Sequence, residues 1–214
     1  SNKSELNTIE KIFKNSNLSY RVGFQRMYHP MVKRIIEELR NSSKKEKFIC
    51  KLKLSSFVPD WHPYESYKKL YACRNELGGG VILTECHELD IINSIFGYPI
   101  KVKRTLFRNE KYALDVEDSA EIEIEYKKCS LKADISFMRK PLERYISLES
   151  NLSKYFLDLN NNILKIEKND SEKKIRYVLG NNELFKKQAK EIIKLENNNN
   201  KEITRLKKLS KFLD

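Results

Sequence analysis

Apolar positions along the chain follow two periods, and the balance between them changes at residue 97. Ahead of that point, Leu6, Ile9, Ile12 and Phe13 share one helix face behind Ser4, a residue type favoured at helix starts, and predict a short amphipathic helix over 4–13. Residues 18–27 alternate toward a strand. In 29–42, Pro30 sits near a helix start, and Met31, Val32, Ile35, Ile36 and Leu39 form the apolar stripe. FICKLKLSSF (48–57) alternates at period two, the mark of a half-buried strand. The aromatic-rich segment 58–71, with Pro59 and Pro63, is irregular yet too apolar for an ordinary surface loop.

The stretch GGGVILTECHELDIINSIFG (78–97) organises the rest. Gly78, Gly79 and Gly80 allow close approaches that a Cβ forbids. Val81, Ile82, Leu83, Leu89, Ile91, Ile92, Ile95 and Phe96 then form a run of helical length, closed by Gly97 with Pro99 beyond. A helix apolar on most faces is buried, so its polar residues must be satisfied or used. Those residues are Thr84, Glu85, Cys86, His87, Glu88 and Asp90. Thr84, His87 and Asp90 are three apart, which predicts one shared helix face.

Beyond the stretch, period two dominates. Residues 100–107, 120–128, 130–138, 144–150, 154–159 and 163–168 read as strands, with short turn signals at 127–129, 139–141 and 160–162. In AEIEIEY, Ala120, Ile122, Ile124 and Tyr126 lie on one face and Glu121, Glu123 and Glu125 on the other, predicting one covered and one polar face. Residues 184–195 and 202–213 return to helical spacing. The order of elements is α+β.

Composition narrows the class. With 214 residues, the chain suffices for one domain with a real core. No uncharged apolar run approaches the roughly 18 residues that span a membrane, and the opening SNKSELNTIEKIFKN is polar, so a soluble cytoplasmic protein with no membrane partner is expected. Cys50, Cys73, Cys86 and Cys129 are scattered without a CxxC pair and read as reduced core thiols; with three histidines they make no metal set. The net charge of +12 favours polyanions in general, yet the lysines are interleaved with Glu and Asn and form no basic stripe. No nucleic-acid partner is expected. A solvated lysine-rich surface accounts for the charge, and a phosphorylated or nucleotide-activated substrate is the other reading.

The glycine triplet followed by the apolar run, His-Glu-Leu-Asp and Phe-Gly resembles the central motif of the Gfo/Idh/MocA oxidoreductases, two-domain NAD(P)-dependent sugar and polyol dehydrogenases. RVGFQRMYHP (21–30) is similar to the strand that leads from that family's nucleotide domain into its C-terminal domain. FVPDWHPYESYKKLYACRNELGGG (57–80) resembles the approach to the glycines in the sugar-modifying branch. The likeness covers roughly residues 20–140 and implies an open, mainly antiparallel β-sheet with helices on one face. It also implies a preceding Rossmann domain that ends in a Glu-Lys-Pro-type motif with a catalytic lysine, followed by a helix that resembles 3–15. This chain contains no GxGxxG. The expected organisation is a remnant helix (1–19) after a missing nucleotide domain, then a substrate-binding and oligomerisation domain (20–214). NAD or NADP would belong to the full-length protein. No cofactor is expected to bind this chain alone, and alone it should not transfer hydride.

His87 is the candidate catalytic residue, because imidazole titrates near neutral pH and suits the hydroxyl proton of a carbinol. A structural histidine bonded to a backbone carbonyl is the alternative. The resemblance implies that His87 binds the substrate hydroxyl or relays its proton beside the family's lysine. Many members carry Asp four residues before this histidine; Leu83 stands there in this chain, and Thr84, three before, is able to bind a sugar hydroxyl. Glu85 is turned about 100° from Thr84 around a helix, while Asp90 or Glu88 is placed to orient the ring. Arg26 and Arg74 resemble arginines flanking the family's pocket and suit a carboxylate or phosphate, with structural ion pairing as the other reading. Trp61, His62, Tyr64, Tyr67 and Tyr71 offer a sugar-stacking wall or, equally, a loop packed on the sheet. Arg26, Trp61, Tyr71, Arg74 and Thr84 are thus the candidate substrate-binding residues, and His29 beside Pro30 reads as a helix-start residue.

The expected function is the substrate-binding and dimerisation domain of an NAD(P)-dependent oxidoreductase acting on a sugar or nucleotide-sugar hydroxyl or carbonyl. A non-catalytic binding or scaffold module of the same fold is the alternative. Glu121, Glu123 and Glu125, with Lys127, Lys132 and Arg144 near them, offer a charged sheet face that can meet its own copy about a two-fold axis. A homodimer or dimer of dimers through that face is expected, as the resemblance also implies; a solvated face is the alternative.

Overall fold

The alternating segments become one sheet. The computed structural model describes residues 3–14, 21–40, 42, 45–194 and 199–212. In chain order these form α1 (Lys3–Lys14), α2 (Pro30–Arg40), β1 (Phe48–Phe57), α3 (Val81–Thr84), α4 (His87–Phe96), β2 (Lys101–Phe107), β3 (Ser119–Tyr126), β4 (Cys129–Ser136), β5 (Met138–Glu149), β6 (Ser153–Asp158), β7 (Ile163–Lys168), β8 (Ser171–Arg176), α5 (Glu183–Lys194) and α6 (Asn199–Ser210). Short 3₁₀ turns lie among them. The strands hydrogen-bond in the order β2-β3-β4-β1-β5-β6-β7-β8. Only β1 and β4 run parallel; every other neighbouring pair is antiparallel. The fold is α+β, as the order of elements predicted.

One face of the sheet is the core. Cys50, Leu52 and Leu54 of β1, Ile122 and Ile124 of β3, Leu131 and Ile135 of β4, Ile146 and Leu148 of β5 and Tyr155 of β6 are buried together with Met31, Val32 and Ile35 of α2 and Leu89, Ile91 and Ile92 of α4. Each such side chain contributes roughly 1.5–3 kcal/mol of transfer free energy. The Tyr126 hydroxyl donates to Asn93 Oδ1 at 2.8 Å, tying β3 to α4. On the other face Glu121, Glu123, Glu125, Lys51 and Lys132 are exposed.

Three expectations change, and one strand is added. The period-two reading of 18–27 does not yield a strand: 15–20 lie outside the described residues, and Gln25–Tyr28 is a 3₁₀ turn. A strand needs a ladder partner, and here Val22 finds side chains instead, its N–H donating to Glu202 at 3.1 Å and its carbonyl accepting from Gln188 at 3.3 Å. Residues 139–141 are not a turn but belong to β5, which starts at Met138. SEKKIR (171–176), to which the alternation assigned no element, is the edge strand β8; a lysine-rich edge discourages pairing with other chains. The helix predicted over 81–96 is broken: Thr84 closes α3, His87 opens α4, and Glu85 between them turns its carboxylate inward. Thr84, His87 and Asp90 therefore do not form one continuous face. Asp90 is fully buried, while the other two are half-buried. The Phe13 and Leu213 side chains of the predicted terminal helices, and Leu195, lie outside what is described.

The glycines lock the aromatic segment to α3. Gly79 N–H donates to the Arg74 carbonyl and Gly80 N–H to that of Ala72, each at 2.9 Å. A Cβ on Gly79 would stand 2.5 Å from the Tyr71 carbonyl oxygen and 2.6 Å from that of Ala72. Backbone cannot move aside as a side-chain tip can. Gly79→Ala should therefore cost about 1–3 kcal/mol of unfolding free energy, read from urea denaturation and at the upper end because the obstacle is backbone, since overpacking falls in that range. An Ala at Gly78 meets nothing within 4 Å but inherits φ +75°, and should cost only about 1 kcal/mol.

Candidate functional site

Around the α3–α4 break a polar cluster is set into the core. Arg144, in phase with Ile146 and Leu148 on β5, points inward and is only 8% exposed. Its Nη1 donates to both oxygens of Glu88 at 2.9 Å, and its Nη2 to Glu85 at 2.8 Å. The Ser56 hydroxyl donates to the remaining Glu85 oxygen at 3.2 Å. Burial opposes the Glu88 charge, but the Arg144 and Arg26 guanidiniums hold its carboxyl below the ordinary carboxylate range. Burial likewise works against Arg144, and the two carboxylates outweigh it, raising its pKa.

This placement corrects the expectation for Arg144. It is not part of the charged open face; it lies on the covered face, because an inward arginine is what two carboxylates within an apolar segment require. Glu85 and Glu88, three apart in that segment, were the signal for it. Arg26 joins the same cluster, with its Nε 3.2 Å from Glu88 Oε1. That ion pair lies outside hydrogen-bond geometry, and the Arg26 Nε is a buried donor without a hydrogen-bond partner among the described residues.

His87 sits beside this cluster. Its Nδ1 is buried and unpartnered among the described residues, as is Thr84 Oγ1. Neither carboxylate proposed to orient the ring does so. Glu88 is held by Arg144, and both oxygens of Asp90 accept from Arg205 on α6, Oδ1 from Nε at 2.6 Å and Oδ2 from Nη2. The ring packs edge-on to Phe24, with centroids 5.7 Å apart and planes at 89°. Burial, reinforced by the charges of Arg26, Arg144 and Arg205 against the pull of Glu88, lowers the imidazole pKa to about 4. His87 is neutral at physiological pH.

Of the other candidates, Tyr71 is largely exposed, and partial burial with the nearby Glu85 charge raises its hydroxyl pKa. Trp61 is half-buried against the core. Arg74 pairs with Glu76 at the surface. His62 Nδ1 and the Tyr64 hydroxyl share a hydrogen bond of 2.6 Å. His29 takes the helix-start role: its Nδ1 accepts from Met31 N–H at 3.0 Å, and its Nε2 faces Asn162 Oδ1 at 2.9 Å.

The glycine triplet is not a phosphate cradle. The Cβ positions of Gly79 and Gly80 are filled by the carbonyls of Tyr71, Ala72 and Arg74 and by the Glu117 carboxylate. A carboxylate at the start of a four-residue helix repels phosphate, so these residues do not fit a dinucleotide. All four cysteines are free; burial raises the thiol of Cys73 to about 11 and that of Cys86 to about 12. Among the described residues no cluster of His, Cys, Asp and Glu has the form of a metal site, and no helix is long and apolar enough to cross a membrane.

No protein-family model matches the chain, and no curated protein sequence matches it. Solved structures do share its fold. An NAD-binding oxidoreductase from Klebsiella pneumoniae superposes with a TM-score of 0.77 at 10% identity, over 99% of this chain and 68% of that one. A UDP-N-acetylglucosamine 3-dehydrogenase from Acidithiobacillus ferrooxidans gives 0.65 at 14% identity, over 88% and 56%. An inositol dehydrogenase homolog complexed with NAD+ from Azotobacter vinelandii gives 0.71 at 12% identity, over 84% and 49%. The chain thus has the fold of part of the NAD-binding oxidoreductases that its glycine–histidine motif resembles, and it spans about half to two-thirds of their length.

Because the folded imidazole titrates near 4 rather than 6.5, the unfolded chain binds the extra proton between those values. Its contribution is complete above pH 6.5 and is lost as the pH falls toward 4; His29, also lowered by burial, acts in the same direction. Urea unfolding at pH 7 and pH 4.5 should show a loss on the order of 1–3 kcal/mol from His87. His87→Leu should reduce that difference.

Proposed function

We propose that the chain is the substrate-binding domain of an NAD(P)-dependent oxidoreductase of the Gfo/Idh/MocA type, acting on a hydroxyl or carbonyl of a sugar or nucleotide sugar. One observation carries this reading: Thr84 Oγ1 and His87 Nδ1 are buried polar atoms, unpartnered among the described residues, on adjoining helix ends beside Arg26. Buried polar atoms are ordinarily satisfied, and a polyhydroxylated ligand supplies what these lack. Thr84 and His87 hydrogen-bond substrate hydroxyls, Arg26 takes an electronegative group, and Trp61 and Tyr71, with Arg74 at the rim, form the wall of the site. A neutral imidazole holds the carbinol oxygen in place and accepts its proton only as the C–H bond breaks. NAD or NADP binds to a nucleotide domain outside this chain. Residues 20–214 are the substrate-binding and oligomerisation domain in this reading.

The alternative, a binding or scaffold module without chemistry, has its own support. All three nearby carboxylates are engaged by arginines, and Thr84 is uncharged, so no carboxylate among the described residues is hydrogen-bonded to His87 Nδ1. His87→Ala in the full-length protein separates the readings. A catalytic histidine predicts a fall in kcat of roughly 10²–10⁴; activity within about twofold of wild type would assign His87 to the core.

The cofactor reading has a separate check. The 214-residue chain titrated with NADH should show no fluorescence enhancement, and micromolar binding would refute a nucleotide site elsewhere.

The open face of the sheet supports assembly with a second copy. Lys101 and Lys103 on β2 stand in register with Glu125 and Glu123 on β3, and Lys132 on β4 lies 3.5 Å from Glu123. Rows of opposite sign are self-complementary about a two-fold axis, and Ile49 and the Tyr145–Phe156 ring pair add apolar area. The chain should form a homodimer, or a dimer of dimers, in light scattering at tens of micromolar. A mass near 25.4 kDa would refute the interface.

A further inference from the structure

The proposed function needs His87 held in one orientation, and hydrogen bonding does not supply it. Nδ1 has no partner among the described residues, and the three acids nearby are consumed by Arg144 and Arg205. Orientation must come from packing. The ring that packs on His87 is Phe24, itself buried. A cavity of about 190 Å³, lined by Val22, Phe24, Ile82, Leu83, Cys86 and Leu206 among others, opens beside Phe24. Apolar contact alone leaves that ring room to swing. One group opposes this: the Arg205 guanidinium carbon lies 4.4 Å from the Phe24 ring centroid, within cation–π range. Arg205 is fixed in turn by the two-point bond to Asp90, a residue fully buried in the same helix that His87 opens.

Resting on the reading of His87 as a functional group, we infer that Arg205 of the C-terminal helix is its positioning residue. Asp90 clamps the guanidinium, the guanidinium holds Phe24, and Phe24 holds the imidazole edge-on. A residue 118 positions away in sequence thereby sets the geometry of the site. α6 has a second tether at Lys207, which donates to Glu10 of α1 at 2.7 Å, so the helix can stay docked when Arg205 is changed.

The three histidines of the chain make the test direct, because His29, His62 and His87 each give one Cε1–H signal in proton NMR. The variants are Phe24→Leu and the double change Arg205→Met with Asp90→Asn, which removes both charges and leaves no unpaired carboxylate in the core. Each should shift the His87 signal by removing or displacing the Phe24 ring current, and should raise its titration midpoint by about one unit as the imidazole regains solvent. His62, at the surface, should not move. A His87 signal unchanged in both variants overturns the inference. A shift in Phe24→Leu alone also overturns it, since Phe24 would then hold the imidazole without Arg205. A shift in the Arg205 variant alone shows a through-space charge effect and overturns the stacking route. If His29 and His62 move as well, the fold has changed, and Arg205→Gln decides. It keeps a hydrogen-bond donor for Asp90 but loses the cation over the ring, so a His87 signal like wild type in that variant refutes the proposal. None of these readouts depends on catalysis, so the inference can fail while the oxidoreductase reading stands, and the reverse.

Discussion

The Arg144 guanidinium, enclosed between β5 and the α3–α4 break, is the interaction on which the rest depends. Taking three charges out of water is costly, and only two carboxylates at hydrogen-bonding distance offset it. The offset is geometric. Glu85 and Glu88 must both reach one guanidinium, so the chain around the break is fixed relative to the central strands. Removing one partner of such a buried pair typically costs about 3–5 kcal/mol, because the other is left charged and dry. The same cluster sets the electrostatics beside His87. Its cations, together with burial, keep the imidazole neutral far below its ordinary value.

Neutrality and missing hydrogen bonds give the site its character. In the more familiar arrangement a carboxylate fixes an imidazole and raises its basicity. Here the carboxylates are turned to arginines, Thr84 contributes a hydroxyl without charge, and an aromatic edge takes over orientation. Such a histidine is a neutral hydrogen-bonding group near pH 7 rather than a strong base.

The two faces of the sheet divide the labour. The covered face combines core and site, so a change in packing there is also felt by His87. The open face carries Lys101 and Lys103 in register with Glu125 and Glu123, and Lys132 opposite Glu123.

Much of the architecture was legible from periodicity. Alternation located seven of the eight strands and assigned the face of β3 correctly, because a half-buried strand must alternate to satisfy core and solvent together. The glycine triplet signalled close backbone approach, and His87 was found as the one histidine within an apolar run. Other features depend on partners remote in sequence. Whether 18–27 becomes a strand depends on a neighbour to pair with, and Val22 instead found Glu202 and Gln188. The break at Glu85 depends on Arg144, 59 residues away, and the pairing of Asp90 on Arg205, 115 residues away. Local pattern specifies which side chains are buried. Which buried charge meets which is decided only when the sheet and the terminal helix close over them, because Coulomb and hydrogen-bond partners are chosen by distance in space.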